Sequence, residues 1–98
     1  MKRKIIFKKF RIKKEFDKFY PEVYIRLSVG IFFRESKWVG IIRTSDGFNI
    51  SSYFAGKFDS QEDAEKAIDE FKTWVEIPEN YHILCYGKKK VEPEYIYV

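Results

Sequence analysis

From Val23 the chain alternates strictly. Val23, Ile25, Leu27, Val29, Ile31 and Phe33 fall on one face of an extended strand, and Tyr24, Arg26, Ser28, Gly30, Phe32 and Arg34 fall on the other. At 3.6 residues per turn a helix would scatter the apolar set around its circumference, so period two demands a strand with one buried face. Such a strand needs neighbours. Glu35-Ser36 is the expected tight turn into a second strand, Lys37 to Ser45. Asp46-Gly47 is a two-residue hairpin signal because both residues tolerate positive φ, and a third strand follows from Phe48 to about Phe54.

The same logic places the rest of the chain. Ser60-Gln61-Glu62-Asp63 resembles a capping box with Asp in place of Glu, and Ala64, Ala67, Ile68, Phe71 and Trp74 or Val75 recur at helical spacing. Pro78-Glu79-Asn80 is expected to end that helix. Tyr81 to Tyr86 reads as a strand, Gly87 with Lys88-Lys89-Lys90 as a turn, and Val91 to Val98 as a final edge strand, because Pro93 cannot donate to a ladder. At the N-terminus Ile5 and Phe7 are out of phase with Phe10, Ile12 and Phe16, so either a bulge lies near Lys8-Lys9 or two elements meet there. The expected fold is a single α+β domain over residues 1–98: an antiparallel sheet of five or six strands with one helix packed on one face.

With 98 residues, 45% of them hydrophobic and 19% aromatic, the chain can build one core and is not a disordered tract. One cysteine excludes a disulfide framework, and one histidine beside it excludes a conventional structural zinc site. There is no apolar run of about 18 residues to cross a membrane. The apolar stretch after Lys2-Arg3-Lys4 stops at Lys8-Lys9, too short for an export signal, so a reducing, cytoplasmic location is expected and no membrane partner. The net charge of +4 is unevenly spread: residues 1–20 carry nine Lys/Arg against Glu15 and Asp17, and residues 59–79 carry eight Asp/Glu against Lys66 and Lys72.

Pairing about Glu35-Ser36 would set Arg34 opposite Lys37, Phe32 opposite Val39 and Ser28 opposite Arg43. One face would then hold Val23, Ile25, Leu27, Val29, Ile31, Phe33, Trp38 and Ile42 as core beneath the helix. The other would hold Tyr24, Arg26, Phe32, Arg34, Lys37, Val39, Ile41 and Arg43, joined by Phe48, Ile50 and Phe54. Arginines interleaved with aromatics suit bases and phosphates, and equally suit a protein interface or a homodimer. Lys8, Lys9, Arg11, Lys13 and Lys14 would add phosphate contacts, unless these lysines only guard a sheet edge against aggregation.

Catalytic chemistry is sparse. Read as a strand, Tyr81–Tyr86 points His82 and Cys85 to opposite faces, which is wrong for a thiolate–imidazole pair. A lone His82 working with Lys or Arg is the enzymatic alternative. Glu62, Glu65 and Asp69 share a helix face that would either be solvated or meet a partner. No phosphate loop, dinucleotide fingerprint or nucleophile elbow is present, so no enzyme, cofactor or metal site is expected.

The stretch Lys37-Trp38-Val39-Gly40-Ile41-Ile42, then Asp46-Gly47, then Phe58-Asp59-Ser60-Gln61-Glu62-Asp63-Ala64-Glu65-Lys66-Ala67 resembles, over residues 37–74, the arm-DNA-binding domains of phage integrases. Those are three-stranded sheets followed by a helix. The resemblance implies a sheet that enters the major groove with the helix behind it, so an acidic helix would not oppose DNA binding. The long strand before Lys37 and the elements after the helix depart from that pattern. In size, composition and lack of catalytic motifs the chain also resembles small phage-encoded inhibitors such as anti-CRISPR proteins. The expectation is therefore a non-catalytic binding protein for DNA or RNA. The alternatives are an inhibitor of a host protein or nucleoprotein complex, or a homodimeric accessory protein.

Overall fold

The computed structural model describes residues 2–87 and 95–98. Four antiparallel strands form a meander in the order β1 (Arg3–Glu15), β2 (Lys18–Val29), β3 (Phe33–Thr44) and β4 (Gly47–Ser51). Two helices, α1 (Gln61–Val75) and α2 (Pro78–Tyr86), cover one face. The class is α+β, as expected, but among the described residues the sheet has four strands rather than five or six, and there are two helices rather than one.

β1 is one long strand with a bulge between Phe7 and Lys9. The extra residue restores the phase, so Ile5 and Phe7 before it and Phe10 and Ile12 after it all face the core. A two-residue turn, Phe16-Asp17, joins β1 to β2 with both residues at positive φ, 49° and 58°. That conformation matches the twist of the flanking strands, and Phe is an uncommon residue to hold it.

The turn between β2 and β3 lies at Gly30-Ile31-Phe32, closed by Val29 opposite Phe33, and not at Glu35-Ser36. Gly30 supplies a φ of 63°, and its N–H donates to the Lys2 carbonyl at 3.0 Å. Ile31 and Phe33, expected in the core, are exposed instead. The change of register is odd-numbered, so every β3 side chain moves to the other face. Val23 now opposes Val39 and both are buried, whereas Trp38 opposes Tyr24 on the far side.

The turn into β4 is Ser45-Asp46, one residue earlier than expected. Gly47 follows at a φ of 140°, where a Cβ would overlap the Trp74 indole. Beyond Ser51 the chain returns and wedges between two strands. The Gly56 N–H donates to the Ile41 carbonyl at 2.8 Å, and Phe58 exchanges two backbone hydrogen bonds with Phe19, each 2.9 Å. β2 and β3 therefore pair only from Glu22 to Val29, and their other ends are held apart by this segment.

Ser60 caps α1 as its sequence suggests, its hydroxyl accepting from the Asp63 N–H at 3.1 Å. Ala64, Ala67, Ile68 and Phe71 form the buried stripe. Phe71 is fully buried at the centre of an aromatic cluster, edge-on to Phe7 at 5.5 Å and to Phe48 at 5.6 Å. Edge-to-face pairs contribute about 0.5–1.5 kcal/mol each beyond their burial.

Pro78 does not simply end the first helix: it is the first residue of α2, where its missing N–H costs nothing. Tyr81–Tyr86 is thus helical, not a strand, and ends at Gly87 with a φ of 82°. The expected turn at Lys88–Lys90 lies outside the described residues. So does the first half of the expected Val91–Val98 strand, and its remainder, Tyr95–Val98, is exposed and forms no strand.

Candidate functional site

Both helices lie against the face that holds Val23, Ile25, Val39 and Ile41, so among the described residues no helix covers the opposite face of the sheet. The register places Lys4, Lys9, Arg11 and Lys13 of β1 there, with Tyr20, Glu22, Tyr24 and Arg26 of β2 and Arg34 and Trp38 of β3. Of the residues expected to bind a partner, Lys9, Arg11, Lys13, Tyr24, Arg26 and Arg34 come together on this surface.

The others do not. Lys8 is the bulge residue, exposed at the sheet edge. Lys14 opposes Phe19 on the core-side phase, with its ammonium 5.6 Å from that ring. Phe32 is in the turn, 95% exposed. Lys37 and Arg43 lie on the helix side of β3. Lys37 pairs with Glu35 at 3.4 Å, and Arg43 pairs with Glu70 of α1. Val39, Ile41, Phe48 and Ile50, also expected on the open face, line the core instead. Trp38 and Ile42, expected in the core, lie outside it.

The open face has a layered chemistry. The Arg11 guanidinium sits 3.9 Å above the Trp38 ring, and the Lys9 ammonium lies between Tyr24 and Trp38 at 5.3 and 5.6 Å. Lys13 lies 5.4 Å from the Tyr20 ring. A ring's negative face attracts each cation and holds it toward solvent. Glu22 fixes Arg11 at 2.7 Å and Glu15 approaches Lys13 at 3.4 Å. Among the described residues Lys4, Lys9, Arg26 and Arg34 have no carboxylate partner. Positive charge is thus in excess on this side. The acids of α1, including Glu62, Glu65 and Asp69, are exposed on the helix side of the sheet.

At one end of the open face the 52–55 segment crosses over Gly40, where a Cβ would overlap Phe54 and Ala55. Between this segment and the strands runs a groove of about 410 Å³, with Tyr20 and Trp38 among its lining and Phe16, Tyr53 and Phe54 at its edge. Nothing in the strand periodicity points to this groove. Its residues come from the Phe16 turn, the 52–55 segment and the strands, among them a face of β3 expected in the opposite phase. A turn placed at Gly30 is the signal that would have brought Trp38 to it.

His82 and Cys85 are three residues apart on α2. His82 is exposed, 4.9 Å from the Tyr86 ring, whereas Cys85 is buried against β1. Burial pushes the Cys85 thiol and the Tyr81 hydroxyl above their usual ranges. At the start of β2, Lys18 donates to Asp59, which raises the lysine and lowers the carboxyl. No three His, Cys, Asp or Glu residues converge to hold a metal ion among the described residues, and no helix there is long and apolar enough to cross a membrane. No protein-family model, curated protein or solved structure matches this chain.

Proposed function

We propose that this chain is a non-catalytic protein that binds nucleic acid with the open face of its sheet. The observation that carries the reading is the row of cations held over aromatic rings, Lys9 and Arg11 above Tyr24 and Trp38 and Lys13 beside Tyr20, on a surface that neither α1 nor α2 covers. Cations in a row along a strand can neutralise successive phosphates, and a guanidinium plane can itself stack on a base. The resemblance to integrase arm-binding domains implies the same face, with the acidic helix directed away from the polyanion.

Fluorescence-anisotropy titrations of labelled DNA and RNA, single- and double-stranded, at two salt concentrations test the reading. Binding at low salt that weakens steeply with added salt is expected. No binding to any of the four at low salt overturns it.

A second reading, an inhibitor that docks on a host protein, draws on a different feature. Ile31 and Phe32 are exposed at the β2–β3 turn, a small apolar knob of the kind protein pockets receive. A stoichiometric protein partner that survives nuclease treatment, and is lost on Phe32→Ala, would favour it.

A further inference from the structure

We infer that the groove beside Trp38 receives unstacked bases, so that the nucleic acid bound is single-stranded. This rests on the nucleic-acid reading above and names the form of its ligand. Three rings stand in water around one groove: Phe16 is 89% exposed, Tyr53 94% and Phe54 65%. In a chain this small, so much aromatic surface left unpacked around a single depression is a surface made to be covered. Flat, π-faced groups cover it best.

The charge pattern selects which part of a nucleotide enters. Glu15 and Glu22 line the groove against a single cation, Lys13, a net negative balance that disfavours a phosphate inside it, and their carboxylates can accept hydrogen bonds from the exocyclic amines of bases. Lys9, Arg26 and Arg34, which have no carboxylate partner among the described residues, lie outside the groove along the strands, where a backbone would run. Bases in and phosphates out is the arrangement of a single strand. In a duplex the stacked bases cannot turn into a lateral groove without being unpaired and flipped out. At about 410 Å³ the groove falls within the range of sites for small flat ligands.

The test uses the full chain carrying Trp74→Phe, which leaves Trp38 as the only tryptophan. It is titrated with a single-stranded oligonucleotide, the same sequence as a duplex, and an abasic strand of equal length. The single strand should quench Trp38 fluorescence and bind at least tenfold tighter than the duplex or the abasic strand. The double variant Tyr53→Ala/Phe54→Ala changes only exposed rings, so its fold is spared. Read by anisotropy in the native-tryptophan background, it should lose at least tenfold for the single strand and nothing for the abasic one. Equal affinity for abasic and normal strands, or a preferred duplex that leaves Trp38 unmoved, overturns the inference while the nucleic-acid reading stands. No binding of any probe removes both.

Discussion

The hydroxyl of Tyr81 closes on both backbone groups of Ile5, accepting from its N–H at 2.9 Å and donating to its carbonyl at 3.1 Å. Tyr86 does the same for Arg3, at 2.6 and 3.3 Å. β1 is an edge strand, and the two tyrosines of α2 stand in for the strand that would otherwise pair with it at these residues. Replacing Tyr81 by Phe strands a partly buried donor and acceptor, so a loss of about 1–2 kcal/mol is expected in urea denaturation. Tyr86→Phe, where water can replace the hydroxyl, should cost no more than about 0.5 kcal/mol. Equal losses from the two would show that the hydroxyls do not act by closing the edge.

Gly40 is the point where the returning segment lies flat on β3. Its Cβ position is occupied by the Phe54 carbonyl and Ala55, so Gly40→Ala must push that segment off the sheet. Overpacking of this kind costs about 1–3 kcal/mol. A melting temperature within a degree of the parent would mean that the segment is not held there.

The two phases of β1 allow the role of face to be separated from that of charge. Lys4→Ala/Lys9→Ala and Lys14→Ala/Lys37→Ala each remove two positive charges, but only the first pair faces the open side. Each phosphate contact contributes about 0.7–0.9 to the slope of log K against log salt. The first double variant should therefore flatten the slope by about 1.5, and the second by much less. Identical slopes would reduce the interaction to net charge.

Cys85 offers a prediction in alkali. Because burial raises its folded pKa, the stability it contributes is complete below the unfolded value of about 8.5 and is lost as pH rises toward the folded one. Unfolding free energy should fall above about pH 8.5, and Cys85→Ala should show a shallower fall. At neutral pH the native thiol should react with a thiol reagent far more slowly than in urea. Rapid native labelling would contradict its placement beneath Tyr81.

How much of this was legible follows from the kind of signal each element left. The bulge could be read because Phe7 and Phe10 cannot both be inward on a regular strand, and the helix start because Ser60 has a cap's chemistry. The β2–β3 turn left almost no trace. The alternation runs on through Ile31 and Phe33 as though the strand continued, and only Gly30 marks the reversal. From that one error the faces of β3 were exchanged, which hid Trp38 from the site and put Lys37 and Arg43 into it. α2 was lost for a different reason: six residues rich in aromatic and branched side chains fit a strand as well as a buried helix, and length alone does not separate them. Its helical form is what brings Leu84 to the same side as Tyr81 and Cys85, toward the core.

The separation of charge across the sheet has a dynamic consequence. With cations on one side that no described carboxylate pairs, and the carboxylates of α1 on the other, the described residues carry a moment directed through the thickness of the sheet. In the field of any polyanion the molecule experiences a torque before contact and arrives with the strands leading. Orientation is therefore set during approach, so that salt, which shortens the reach of that field, slows productive encounter before it loosens any bound state.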